Sequence, residues 1–210
     1  LVDGAIYTYS GSRIYKVDAI SGEILIDKPM DHNSSFAINP PTYANGMIFV
    51  GLSDGTIQAF DANTLNSLWI YRDSIGGQPN SSIVYHDGYI YTGFWVGEIN
   101  EAHYVCLSAT DEDPTQSMEE KLPTWYYTSK GGFYWAGACV QNGVLLVGTD
   151  DGQNLTSPVL STGRVLLFCI KAFLLLIGAV LGLVVLGLVV GLVAVLVGGA
   201  AVGFPFALAG

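Results

Sequence analysis

The sequence predicts an all-β protein: a partial β-propeller of four-stranded antiparallel blades, followed by a C-terminal apolar segment of helical, transmembrane-like character. Three observations predict it. A polar residue plus Gly before an apolar, aromatic-rich run recurs four times. The segments between turn signals are four to six residues long and rich in β-branched and aromatic residues, which suits strands and leaves no room for helices. Charge also stops abruptly: every Asp and Glu lies at or before Asp151, and Ala172 to Gly210 carry none.

The recurring anchor reads Asp3-Gly4, Asn45-Gly46, Asp87-Gly88 and Asn142-Gly143. Such pairs favour tight hairpins, because the turn needs positive φ at its centre. Gly4 to Gly46 and Gly46 to Gly88 are each 42 residues, and Gly88 to Gly143 is 55. In the second copy, Ile48 to Gly51, Thr56 to Asp61 and Ser67 to Tyr71 read as strands, with a second turn at Ser53-Asp54-Gly55. Phe36 to Tyr43, Ser82 to Tyr85 and Trp135 to Val140 supply the strand before each anchor. Four short strands in roughly 40–45 residues make one propeller blade. The longer third period places an insertion in Thr110 to Lys121, an acidic stretch expected as a surface loop. In the fourth copy an insertion of 11 aligns Gly163 to Phe168 with the third strand, so the domain is expected over residues 1–168 and breaks off within a blade. The chain opens inside a repeat with no export signal, as a missing N-terminus would produce.

A net charge of −10 excludes nucleic acid as a partner, since phosphate binding needs clustered Lys and Arg. Phe173 to Val197, 25 residues, would extend roughly 37 Å as a helix and cross the hydrocarbon core with tilt. Residues 172–210 are therefore expected to hold a membrane span at about 173–197. Arg164 and Lys171 precede it, which by the positive-inside rule puts the preceding domain in the cytoplasm. A truncated or chimeric chain, whose apolar tail is not native, fits the break within a blade equally.

At the third strand and its turn the chain resembles the pyrroloquinoline-quinone-like (quinoprotein-like) β-propeller repeat, Ala-x-Asp-x-x-Thr-Gly with a Trp on the outer strand. The second copy has Ala59, Asp61, Thr64 and Trp69, with Leu65 where Gly is usual. The first keeps Asp18 and Gly22 but has Ile26 for Trp; the third keeps Trp125 and has Ser108 for Asp. The resemblance covers residues 1–168. It implies that Asp and Thr bond their own turn and that Trp packs on the next blade. It also implies a domain outside the cytoplasm, extracellular or periplasmic, against the charge rule. Some members are dehydrogenases holding the quinone with calcium; others are non-catalytic scaffolds. The dehydrogenases' calcium ligands and adjacent Cys pair cannot be placed here, since Cys106, Cys139 and Cys169 are far apart. No cofactor and no metal is expected, and the alternative is a fragment of a quinone-dependent dehydrogenase.

Other constellations read as structure. Asp150-Asp151-Gly152 aligns with a hairpin turn and lacks EF-hand spacing. His32, His86 and His103 are scattered, Asp111-Glu112-Asp113 reads as a solvated loop, and Cys106 and Cys139 read as buried thiols. Asn33, Asn80 and Asn154 match the glycosylation pattern. The candidates for ligand contact are aromatic: Trp95, beside Phe94 at a second turn, and Tyr134 and Trp135, beside Phe133 where a first strand begins. Core packing competes with contact to a protein or glycan at these positions. The expected function is non-catalytic binding or scaffolding at a membrane or cell surface.

Overall fold

The computed structural model describes residues 1–34, 39–135, 137–152 and 154–158. The expected third-strand stretch 163–168 and the expected span 173–197 lie outside the described residues. Among the described residues no helix is long and apolar enough to cross a membrane.

Strands form wherever the turn chemistry dictates. The first blade holds β1 (Ala5–Ser10), β2 (Arg13–Asp18) and β3 (Ile24–Pro29). The second holds β4 (Thr42–Ala44), β5 (Met47–Leu52), β6 (Thr56–Asp61) and β7 (Ser67–Arg72). The third holds β8 (Val84–His86), β9 (Tyr89–Gly93) and β10 (Ala102–Ser108); then come the two-residue β11 (Glu119–Glu120) and the blade's outer strand β12 (Trp125–Ser129). The fourth holds β13 (Cys139–Gln141), β14 (Val144–Gly148) and β15 (Asn154–Pro158). Each blade is an antiparallel meander. At every anchor both central residues have positive φ: Asn45 at 49° and Gly46 at 75°, Asn142 at 52° and Gly143 at 74°. Ala44 pairs with Met47 and Gln141 with Val144, so each turn is a two-residue loop whose twist suits a hairpin.

Three expectations are corrected. The first strands are three residues long, not four to eight: Thr42–Ala44, Val84–His86 and Cys139–Gln141. Pro40 and Pro41 lack the N–H a ladder needs, so the strand starts at Thr42. The insertion is not all surface loop. Glu119 and Glu120 pair in parallel with Trp69 and Ile70, adding a fifth strand to blade 2. Met118 N–H donates to the Leu68 carbonyl at 3.1 Å and Lys121 N–H to the Ile70 carbonyl at 2.8 Å. Finally, blade 4 closes its third strand early, with Leu145 opposite Ser157 and Gly148 opposite Asn154. That register takes up the edge of β14 expected for residues 163–168, which lie outside the described residues.

Three hydrophobic cores lie between the four blades. Alternation along each strand sends side chains to opposite faces. Ile48, Val50 and Leu52 of β5 meet Ile14 and Met30 of blade 1, while Phe49 meets blade 3. Ile57, Ala59, Trp69 and Tyr71 pack with Ile83, Ile90, Val105 and Leu107. Tyr91, Tyr104 and Cys106 pack with Phe133, Leu145, Val147 and Leu155. The described blades lie in one unit, Leu1–Ser161.

Candidate functional site

In blades 1, 2 and 3 the repeat motif sits at the turn after the third strand. Asp18 Oδ1 accepts from the Ile20 and Ser21 N–H groups at 3.0 and 2.7 Å, and Asp61 Oδ1 from Asn63 and Thr64 at 3.0 and 2.8 Å. These bonds hold the Asp18 carboxyl below the usual carboxylate range. In blade 3 Ser108 Oγ accepts from Thr110 N–H at 3.2 Å. Gly22 and Leu65 share one backbone role: each has positive φ, 75° and 53°, and each donates its N–H to the carbonyl of the turn Asp. Leu65 bears that strain with a side chain buried against blade 1.

Two residues before the turn Asp18, Asp61 or Ser108, the third strand faces the outer-strand position of the motif. Lys16 lies opposite Ile26, Ala59 opposite Trp69 and Cys106 opposite Trp125. Trp69 is fully buried, 5.7 Å from the Phe49 ring, and its Nε1 donates to the Ala109 carbonyl of blade 3 at 3.4 Å. Trp125 is half-buried, 6.1 Å from Tyr91. Trp69 thus bonds blade 2 to blade 3, whereas the ring contact of Trp125 lies within its own blade.

The aromatic candidates divide by residue. Phe94 and Phe133 are fully buried, whereas Tyr134 and Trp135 are exposed and Trp95 is half-buried. Four loops bring the second group together. Trp95 exchanges both backbone hydrogen bonds with Gln78, at 2.7 and 2.9 Å. Phe133 N–H donates to the Phe94 carbonyl at 3.0 Å, and Asp150 N–H to the Gly132 carbonyl at 2.9 Å. Gly132 is needed here, because a Cβ would lie 3.1 Å from Trp95 Cα and run into its ring.

The Trp95 and Tyr134 rings lie 5.0 Å apart, and Tyr134 stacks on Trp135 at 4.6 Å with 21° between planes. Trp95 Nε1 donates to Asp150 Oδ2 at 3.1 Å. Trp95, Glu98, Tyr134 and Asp150 line a cleft of about 460 Å³. Trp135 is 67% exposed and has φ of +56°, an unusual backbone state for a bulky residue. The loops therefore hold three rings and two carboxylates at the surface where blades 3 and 4 meet.

The sequence reading missed a buried polar pair between blades 2 and 3. A His103 ring nitrogen lies 2.9 Å from Asp73 Oδ2, Tyr71 O–H donates to the same oxygen at 2.8 Å, and Ile75 N–H donates to Oδ1 at 2.9 Å. His103 and Asp73 are 30 positions apart, and only the blade stacking unites them. The Asp111-Glu112-Asp113 stretch is likewise engaged: Glu112 pairs with buried Lys121, whose Nζ lies 5.0 Å from the Trp69 ring centroid, and Asp113 accepts from Thr115 N–H. Asn80, one of the glycosylation matches, is buried. Cys106 and Cys139 are both free. Cys106 is buried and its thiol is pushed up to about 12 by desolvation, but Cys139 is exposed, against the expected burial. Among the described residues no three His, Cys, Asp or Glu side chains gather as metal donors.

Antiparallel meanders stacked face to face define a β-propeller repeat protein. Residues 2–105 match the family model described as outer membrane protein assembly factor BamB, which bears out the resemblance to the pyrroloquinoline-quinone-like propeller repeat. The structure of BamB from Moraxella catarrhalis is similar with a TM-score of 0.51 and 17% identity, over 73% of this chain and 42% of that one. A quinohemoprotein alcohol dehydrogenase from Pseudomonas putida gives a TM-score of 0.56 at 16% identity, over 71% of this chain and 27% of that one. The computationally designed Ika4 protein gives 0.52 at 12%, over 76% and 88%. The chain thus spans about two fifths of the BamB chain and about a quarter of the dehydrogenase. A comparison with curated proteins finds no match.

Proposed function

We propose that this chain is a non-catalytic binding or scaffolding module, a propeller that offers its loop surface to a partner macromolecule at the cell envelope. One observation carries the reading: Trp95 and the Tyr134-Trp135 pair, distant from it in sequence, converge on surface loops and not in a core. Exposed aromatic rings held in place by backbone hydrogen bonds form contact surfaces at low entropic cost. The likeness to BamB, by its description an assembly factor for outer membrane proteins, supports a protein partner and an envelope location. Tethering through 173–197 remains part of the proposal and rests on sequence alone.

The rival is a fragment of a quinone-dependent dehydrogenase. Incubation of the full chain with pyrroloquinoline quinone and calcium, followed by desalting, separates the two. The binding-module reading expects no retained quinone absorbance and no alcohol-dependent dye reduction. A stoichiometric chromophore would overturn it. For the tether, the full chain is expected to stay with membranes through carbonate and high salt, and its release intact would remove that part.

A further inference from the structure

We propose that the cleft between blades 3 and 4 takes the guanidinium group of an arginine displayed on an extended segment of a partner protein. The inference rests on the binding-module reading above and names the chemistry of its site.

Aromatic rings alone would accept a sugar, an apolar side chain or a cation. The rest of the cleft decides among them. Glu98 and Asp150 line it beside Trp95 and Tyr134, and both acids are exposed at its rim. Two carboxylates beside π-faces suit a cation, which gains from ring quadrupole and carboxylate together, whereas a neutral sugar gains nothing from the charge. The chain's net charge of −10 acts in the same sense, drawing a cationic partner and repelling an anionic one.

Geometry favours guanidinium over ammonium. Tyr134 and Trp135 stack within 21° of parallel, which leaves a flat outer ring face on the pair, and Trp135 is 67% exposed. A planar guanidinium can lie on such a face while its edge donates a forked pair of hydrogen bonds to a carboxylate; an ammonium has no plane to stack. Asp150 lines the cleft beside Tyr134. Its Oδ2 already accepts from Trp95 Nε1 at 3.1 Å, which leaves acceptor capacity on a carboxylate that takes about four hydrogen bonds. At about 460 Å³ the cleft admits one long side chain with its flanking backbone, and not a folded domain.

The test titrates the full chain with a terminally blocked Gly-Gly-Arg-Gly-Gly peptide, following the indole N–H resonances of Trp95 and Trp135. Matched peptides carry citrulline or lysine in place of arginine, and a neutral cello-oligosaccharide is the third probe. The arginine peptide is expected to shift both indole signals saturably and to weaken as salt rises. Citrulline, equal in shape but uncharged, is expected to bind at least about tenfold more weakly, and lysine to fall between. Trp135→Ala, Asp150→Asn and Glu98→Gln are each expected to weaken arginine binding about three- to tenfold, with far-UV circular dichroism unchanged. Equal binding of citrulline, preference for the oligosaccharide, or no shift at millimolar peptide would each overturn the assignment. None of these outcomes bears on quinone uptake, so the cleft chemistry and the non-catalytic reading fail separately.

Discussion

Blades 2 and 4 begin with the same Asn-Gly hairpin and run in the same register, yet they are covered differently. In β6 every residue but the last is buried, and in β5 Phe49 faces one neighbouring blade while Ile48, Val50 and Leu52 face the other. In β14 burial alternates: Leu145 and Val147 face blade 3, whereas Val144 and Leu146 are 45% and 47% exposed. Local turn chemistry therefore makes the blade, and stacking decides how much each blade contributes to stability. A sheet buried on both faces loses its polar–apolar alternation, and one buried on a single face keeps it.

The largest expected effect falls on the doubly covered blade. Trp69→Ala removes a fully buried indole that touches Phe49, carries Lys121 over its face and bonds blade 3. Urea denaturation is expected to show a loss of about 3–5 kcal/mol. Trp125→Ala, at the same motif position on blade 3 but half-buried, is expected to cost roughly half as much. Equal losses would mean that the motif Trp acts through its own blade and not through stacking.

Next comes the polar latch between blades 2 and 3. Asp73→Ala leaves His103 and the Tyr71 hydroxyl buried without their acceptor, for a cost of about 3 kcal/mol. Asp150→Ala breaks the exposed bond from Trp95 across blades 3 and 4 and is expected to cost under about 1 kcal/mol. The gap between the two measures what burial adds to a blade-to-blade polar contact.

Alkaline pH probes the same inner cores. Burial raises the Tyr104 hydroxyl and the Cys106 thiol, and it raises Tyr71 together with the neighbouring Asp73. A raised folded value means that the unfolded chain releases its proton first. Stability from these groups is whole below the unfolded values, near 9 to 10, and declines as pH rises toward the folded ones, by up to about 1.4 kcal/mol per pH unit for each group. Tyr104→Phe and Cys106→Ala are each expected to flatten the loss between pH 9 and 11 in thermal melts. Iodoacetamide at pH 8 offers a chemical counterpart: exposed Cys139 on β13 reacts, and buried Cys106 in the native chain does not.

These differences were partly written in the sequence. Asx-Gly pairs need positive φ, so the four anchors and the hairpins around them were legible, as was the turn Asp with its own-backbone bonds. Strand β11 was not, because Glu119 and Glu120 have no strand preference of their own; β7 imposes the state by pairing with them. In blade 4 the repeat alignment pointed to Gly163 to Phe168, which lie outside the described residues, while the strand that pairs with β14 is Asn154–Pro158. Trp95, Tyr134 and Trp135 stood out as single residues. Their meeting with Glu98 and Asp150 depends on loops 55 positions apart in the chain, as does the burial of Phe94 and Phe133 beside them.

The smallest expected effect is the most direct test of the comparison. Leu146 sits mid-strand in β14, paired with Cys139 and Thr156, yet its side chain points away from the core that holds Leu145 and Val147. If ladder pairing alone held the strand, Leu146→Ser would matter through β-propensity only, within about 0.5 kcal/mol. Phe49→Ser on β5, where both faces are covered, removes a fully buried ring from the core between blades 2 and 3 and is expected to cost several times more. A loss above about 2 kcal/mol at Leu146 would mean that something covers this face in solution, and blade 4 would then be as enclosed as blade 2. A negligible loss, with Leu145→Ser severe at the adjacent position, would fix the boundary of the stacked core at one face of β14.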